Sequence, residues 1–308
     1  MAIGVCISHK IADASSLTTF INDWAATTRE APEQIRGPRF DDLRSLFPPR
    51  DIMGYETESK IKREEIVTKK FVFKAPKIAE LKQRSIIGCS STTNNNNCRS
   101  DHTDDVQEYP TRVEAVSAFI WKRFIDMDQA KEVAVASAAR VYVGSHAVNM
   151  RTRIVPPLPT NSIGNMYCAA IALSIINGNP ENDQDKEDHQ YSNLVGKVRD
   201  AIRKIDSDHV RELQTTDALL NSMKPIEEGV SSGQTQLLTF SSWCRFPIYE
   251  ADFGWGKPIW VSTATLPFKN VVVFMDTRTG DGIEAWVNMN KEDMSELERD
   301  DELLAFVS

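Results

Sequence analysis

A chain of 308 residues exceeds one ordinary domain, so two domains or one large α/β unit are expected. Hydrophobic residues at 41% and charged residues at 26% give the balance of a soluble globular protein, and a net charge of -8 argues against a general binder of nucleic acid or membrane surface. No apolar run approaches bilayer-spanning length, and the start from Met1 to His9 has no basic n-region or cleavage site, so a cytoplasmic protein is expected.

In chain order, Ile3, Val5 and Ile7 alternate with Gly4, Cys6 and Ser8, which predicts a strand over 3–8. From Ser15 the period changes. Leu17, Phe20, Ile21 and Trp24 fall at helical spacing, predicting a helix to about Thr28. His9 to Asp13 therefore link strand to helix at a sheet end, where sites are commonly built. Pro32, Gly37-Pro38 and Phe47-Pro48-Pro49 then break regular structure. Ile66, Val67, Phe71, Val72 and Phe73 predict a strand over 64–73, and Ile78 to Ile87 a short helix. The polar, Asn-rich stretch 88–109 reads as a loop. Cys89, Cys98 and His102 in it invite a zinc reading, but no second ligand pair follows, and a metal-free solvated loop is expected. The five cysteines, Cys6, Cys89, Cys98, Cys168 and Cys244, are odd in number and unpaired in spacing, the usage of a reducing compartment.

Thr111 and Glu114 form a capping box that opens a helix striped by Val113, Val116, Phe119, Ile120 and Phe124. Residues 140–153 read as one long strand, with Asn149, Arg151 and Arg153 on the face opposite Val148 and Met150, ended by Pro156-Pro157-Leu158-Pro159. The acidic stretch 179–190 reads as a second loop, and Leu194, Val198, Ile202 and Ile205 mark a helix. Strand-like runs follow at 236–246, 259–266 and 270–276. Asp281-Gly282 signals a hairpin into Ile283–Val287, and from Lys291 a helical pattern carries Met294, Leu297 and Leu304.

The chemistry-bearing residues sit around these links. His9 has an acid four residues on, and imidazole can take a proton from a hydroxyl or amine and return it. Asp13 has two readings: it orients His9 as the third member of a triad, or it caps the helix and anchors a salt bridge. The second is preferred. A metal site on His9 and Asp13 lacks a third ligand. Asp252-Phe253-Gly254-Trp255-Gly256 is an aromatic-glycine turn, in which glycines permit unusual backbone angles and aromatics plug a core. Before it, Ser241 and Ser242 are placed to hydrogen-bond an extended ligand arm, and Arg245 and Lys257 to meet a phosphate. No G-x-x-x-x-G-K-[ST], G-x-G-x-x-G or G-x-S-x-G occurs, so nucleotide sites and a serine-hydrolase elbow lack support.

His9-x-x-x-Asp13 followed by Asp252-Phe253-Gly254-Trp255-Gly256 resembles the BAHD acyltransferases, plant enzymes that move an acyl group from coenzyme A to an alcohol or amine. Thr111-Arg112-Val113-Glu114-Ala115, Asn149-Met150-Arg151, Met275-Asp276-Thr277-Arg278 and Gly282-Ile283-Glu284-Ala285-Trp286 follow in the family's order, and the flavour is that of its alkaloid and alcohol acetyltransferases. The resemblance implies an α/β, two-domain, chloramphenicol-acetyltransferase-like fold with most of the first domain missing. Residues 1–50 would be the remnant that carries the H-x-x-x-D motif, and 51–308 the second domain, with a segment near 252–275 crossing back. It implies His9 as general base and Asp13 as a structural residue paired with Arg151 of the N-x-R motif. Asp252, sometimes counted as catalytic, would belong to a structural turn with Phe253, Gly254, Trp255 and Gly256 that shapes the coenzyme channel. It further implies no bound cofactor, acyl-CoA (acetyl-CoA foremost) as co-substrate, a small-molecule alcohol of plant specialised metabolism as acceptor, and a monomer without nucleic-acid or membrane partners. Ala14 departs from the family's glycine after the Asp. Opening inside the His9 strand predicts an exposed apolar edge and instability. The alternative is a catalytically inactive truncated paralogue that only binds coenzyme A or a partner.

Overall fold

A single six-stranded mixed sheet organises the computed structural model of this chain, which describes residues 1–48, 66–90, 109–131, 140–176, 184–215 and 218–308. Its strands are β1 (Ile66–Phe73), β2 (Arg140–Asn149), β3 (Tyr167–Ile176), β4 (Thr235–Ser242), β5 (Val271–Asp276) and β6 (Ile283–Asn290), in the order β1-β6-β5-β4-β2-β3. β2, β4 and β5 run parallel, and β1, β6 and β3 run against their neighbours. The parallel strands therefore end together at Asn149, Ser242 and Asp276, and the carboxyl edge of parallel strands is where open α/β sheets bind ligands. The β5–β6 hairpin turns through Thr277–Gly282, where Gly282 is obligatory: a Cβ there would lie 2.7 Å from the Phe73 carbonyl.

One face of the sheet is covered by three helices, α3 (Ala75–Ser90), α4 (Arg112–Lys131) and α5 (Gln184–Arg203), and this is the core. Alternate residues of β2 point into it. Tyr142 reaches Asp128 of α4 at 3.0 Å, Gly144 lies under the fully buried Trp121 ring, and His146 stacks on Phe240 at 4.5 Å. Tyr191 of α5 donates to the carbonyls of Leu81 and Ala115 and ties the three helices together. The predicted capping box is present, with Thr111 N–H donating to Glu114 at 2.9 Å and Glu114 N–H to Thr111 at 3.2 Å. α6 (Ser207–Thr215) and α7 (Ala218–Ser231) lead to β4. α8 (Lys291–Leu297) and α9 (Asp301–Phe306) close the chain and bury Met294, Leu297, Leu303 and Phe306. Ahead of the sheet stand α1 (Ala14–Thr28) and the short α2 (Asp41–Leu46).

Several expectations are corrected. Residues 3–8 form no strand: no described strand runs beside them, so they make no ladder, and Ile3, Val5 and Ile7 are exposed. The strand read to 153 stops at Asn149, because Asn149 Oδ1 accepts the Arg151 N–H and Met150 O accepts from Arg153 and Ile154, closing a turn. β3 lies in sequence that carries no strand assignment above. The run at 259–266, between Pro258 and Pro267, forms no strand. The helix expected at 78–87 begins at Ala75 and runs to Ser90, and α5 begins at Gln184, inside the stretch read as loop. The C-terminal helix is two, broken at 298–300 where Asp300 caps α9, so Leu303 rather than Leu304 is the buried position. Cys98 and His102 lie outside the described residues, as do 49–65 between the two expected domains.

Candidate active site

Asp13 ends the turn after His9 and begins α1. Its Oδ1 accepts the Ser16 N–H at 2.9 Å, which is the N-cap bond that starts the helix. The same carboxylate receives the Arg151 guanidinium as a two-pronged pair at 2.8 and 3.1 Å, the Ser16 hydroxyl at 2.9 Å and the Met166 N–H at 3.0 Å. Arg151 is 1% exposed, and its remaining donors reach the carbonyls of Ser162 and Gly164, Asn149 Oδ1 and the Ser16 hydroxyl. Burial alone would raise the Asp13 pKa. The Arg151 hydrogen bond and charge, with the N–H groups of Ser16 and Met166, outweigh it and hold the carboxyl below its ordinary range. Asp13 is thus an ionised, saturated anchor whose acceptor sites face Arg151.

Gly164 closes over this pair. It has φ of 139°, and a Cβ there would fall 2.3 Å from Leu43, so only glycine fits. The segment it opens continues to His9: Asn165 Nδ2 donates to the His9 carbonyl at 2.5 Å, and the Tyr167 ring meets the His9 ring edge-on at 5.8 Å. His9 itself is exposed. Burial and the negative charge of Asp13 raise the Tyr167 pKa, so its phenol stays protonated near neutrality.

Asp252 serves a different place. Its Oδ1 accepts from Gly254 N–H at 2.8 Å and Gly256 N–H at 2.9 Å, and both glycines have positive φ, 101° and 96°. Those two bonds keep its pKa below the ordinary value. Phe253 plugs against Trp24 at 5.0 Å and Ala25 of α1, and Trp255 stacks on Phe253 at 5.9 Å. Asp13 and Trp24 stand eleven residues apart, about 16 Å along the helix axis, so the aromatic turn braces the far half of α1 rather than the imidazole. A cleft of about 510 Å³ lies beside this turn. Its cations Arg29, Arg36 and Lys257 are offset by Asp23, Glu33, Glu250 and Asp252, and Lys257 pairs with Glu250. Ser241, Ser242 and Arg245 stand elsewhere, at the carboxyl end of β4: Ser242 Oγ accepts from Cys244 N–H at 3.4 Å, and Arg245, at φ 68°, donates its N–H to Asp276 at 2.6 Å.

The structure therefore joins Asp13 to Arg151, and Phe253 to α1 with Trp255 stacked on it, while Ser241, Ser242 and Arg245 are not among the residues that line the cleft beside Lys257. Sequence reasoning missed Ser16, Gly164, Asn165, Met166 and Tyr167. The signal for them was a Gly-Asn pair between the proline-rich turn and an apolar run.

A model of the Transferase family matches residues 1–304. The chain belongs to this family, the BAHD acyltransferases. It is 40% identical to stemmadenine O-acetyltransferase of Catharanthus roseus over 97% of its own length and 61% of that protein's, and 37% identical to vinorine synthase of Rauvolfia serpentina over 96% and 61%. This BAHD chain thus spans about three fifths of the length of these relatives. The crystal structure of vinorine synthase superposes with a TM-score of 0.68 at 34% identity, covering 98% of this chain and 62% of that one. F. graminearum TRI101, solved with coenzyme A and T-2 mycotoxin, matches at a TM-score of 0.64 and 16% identity over 97% and 64%, a likeness of fold.

Proposed function

We propose that this chain carries the acyl-transfer machinery of a BAHD acetyltransferase that acylates a hydroxyl of a plant specialised metabolite, with acetyl-CoA as donor. His9 takes the proton of the acceptor hydroxyl as its oxygen attacks the thioester carbonyl. The tetrahedral intermediate then collapses, expelling the coenzyme A thiolate, which receives the proton. The observation that carries this reading is the Asp13–Arg151 lock: the acid of the motif is occupied in fixing the turn, which leaves the exposed His9 imidazole as the proton carrier. Ser241, Ser242 and Arg245 at the β4 end would line the pantetheine arm and phosphates. Lys257 is the lesser candidate because Glu250 and the surrounding carboxylates offset its charge. The relatives' names, an O-acetyltransferase among them, support acetyl as the group and oxygen as the acceptor.

The test pairs binding with turnover. A melting temperature that rises with acetyl-CoA shows a formed coenzyme site, since a ligand of the native state stabilises it. Thiol release that falls roughly 10²- to 10⁴-fold in His9→Ala supports the base assignment. A second reading, an inactive coenzyme binder, is favoured by one observation: His9 follows an unpaired, exposed segment. It would be supported by a thermal shift without turnover. Neither shift nor turnover would sink both.

A further inference from the structure

We propose that Asn165 and Tyr167 are positioning residues for His9, acting as a clamp that sets where the imidazole stands. The proposal deepens the acyltransferase reading and rests on it for its catalytic meaning, though not for its geometry. Among the described residues, 3–8 ahead of His9 make no ladder, and a base that wanders loses the alignment on which its rate depends. Two contacts restrain it locally. The Asn165 amide donates to the His9 carbonyl at 2.5 Å, fixing the backbone, and the Tyr167 ring meets the imidazole at 5.8 Å with an interplanar angle of 63°, fixing the side chain.

The clamp is itself anchored. Gly164, one residue before Asn165, accepts from Ser16 and Arg151 through its carbonyl and donates its N–H to Ser16. Met166, between the two clamp residues, donates its N–H to Asp13 at 3.0 Å. Tyr167 is the first residue of β3 and sits opposite Asn149, whose Oδ1 accepts from Arg151. The rigid Asp13–Arg151 pair is therefore connected to His9 through four consecutive residues as well as through the turn at 9–13. The orientation of Asn165 is determined by one bond. Its Oδ1 is buried without a hydrogen-bond partner among the described residues, so a flipped amide would set two acceptor oxygens against each other at His9. Asn165→Asp, nearly equal in shape, makes that conflict permanent.

The experiment uses the full chain with histidine and tyrosine rings protonated in a deuterated background. His9→Ala assigns the His9 ring signals, and the readout is the cross-relaxation between the His9 and Tyr167 rings. Wild type should show it, Tyr167→Phe should keep it because the ring edge remains, and Asn165→Asp should lose it while the remaining methyl spectrum stays that of the folded protein. In acetyl-CoA turnover, Asn165→Asp should lower kcat about tenfold or more with KM within twofold, the pattern of a misplaced base rather than a lost binding contact. Absence of the contact in wild type, or its persistence in Asn165→Asp, overturns the clamp. So does a folded Asn165→Asp that has lost the contact yet turns over at the wild-type rate. Should His9→Ala turn over as fast as wild type, the general-base reading fails, and the ring contact alone decides whether the clamp exists.

Discussion

At the scale of single residues, two buried ionisable groups predict separate pH windows. Asp13 is ionised in the folded protein with its pKa held below the unfolded value of about 3.9. Its contribution is complete above that value and is lost as pH falls through the depressed folded pKa, so it governs stability only in strong acid. Removing its partner is more severe. Arg151→Met leaves a carboxylate 8% exposed without its cation, which should cost about 3–5 kcal/mol in urea unfolding, and Arg151→Lys should restore only part because the fork is lost. His146 works at milder pH. It is buried in the core against Phe240, its two ring nitrogens have no hydrogen-bond partner among the described residues, and burial lowers its pKa from 6.5 to about 3. The unfolded chain binds the proton first. Stability is therefore full above pH 6.5 and declines as pH falls toward 3, by roughly 2 kcal/mol between pH 6.5 and 5. His146→Leu should flatten that slope in a pH series of urea unfolding. An unchanged slope would show that another group carries it.

At the scale of elements, the helical layer is keyed to the sheet at β2. A Cβ on Gly144 would stand 3.2 Å from the Trp121 ring, closer than packed carbons normally come, and Trp121 is fully buried with nowhere to retreat. Gly144→Val should therefore cost about 1–3 kcal/mol by overpacking, measured as a shifted urea midpoint at constant slope, whereas Ser145→Ala on the opposite face should cost less. Legibility followed the same physics. α1, α4, β1 and the β5–β6 hairpin were readable because each has a local cause: a change of period, a capping box, a β-branched run, a turn dipeptide. β3 was not, because Cys168, Ala170 and Ala172 on its core face alternate with Ile171, Leu173 and Ile175, giving apolar sequence throughout and no period. The run at 259–266 has strand composition, but a strand exists only where a neighbour accepts its hydrogen bonds. Of the site, Asp13 and Arg151 were legible through their motifs although 138 residues separate them. The 164–167 segment was not, since its work is done through backbone groups, one amide and one ring that composition does not mark.

At the scale of the whole molecule, two of the places where apolar side chains remain in water bear on self-association. Ile3, Val5 and Ile7 stand exposed along the first residues, and Leu173 and Ile175 are 51% and 64% exposed on the outer face of β3. β3 is also one of the sheet's two edge strands, and an apolar edge recruits other chains by ladder pairing as well as by surface burial. The two places differ in what they give the fold. The β3 side chains belong to a laddered strand, so replacing them alters sheet propensity along with solubility. Residues 3–8 make no ladder, so their side chains add little to folding while adding to self-association. Replacing Ile3, Val5 and Ile7 together by Thr should therefore lower the scattering growth rate at fixed protein concentration and leave the melting temperature within about 2 °C, since surface changes away from packed features stay within about 0.5 kcal/mol. A larger fall in melting temperature would mean that this segment is packed in solution. The clamp on His9 would then have support from residues 3–8 as well as from Asn165 and Tyr167.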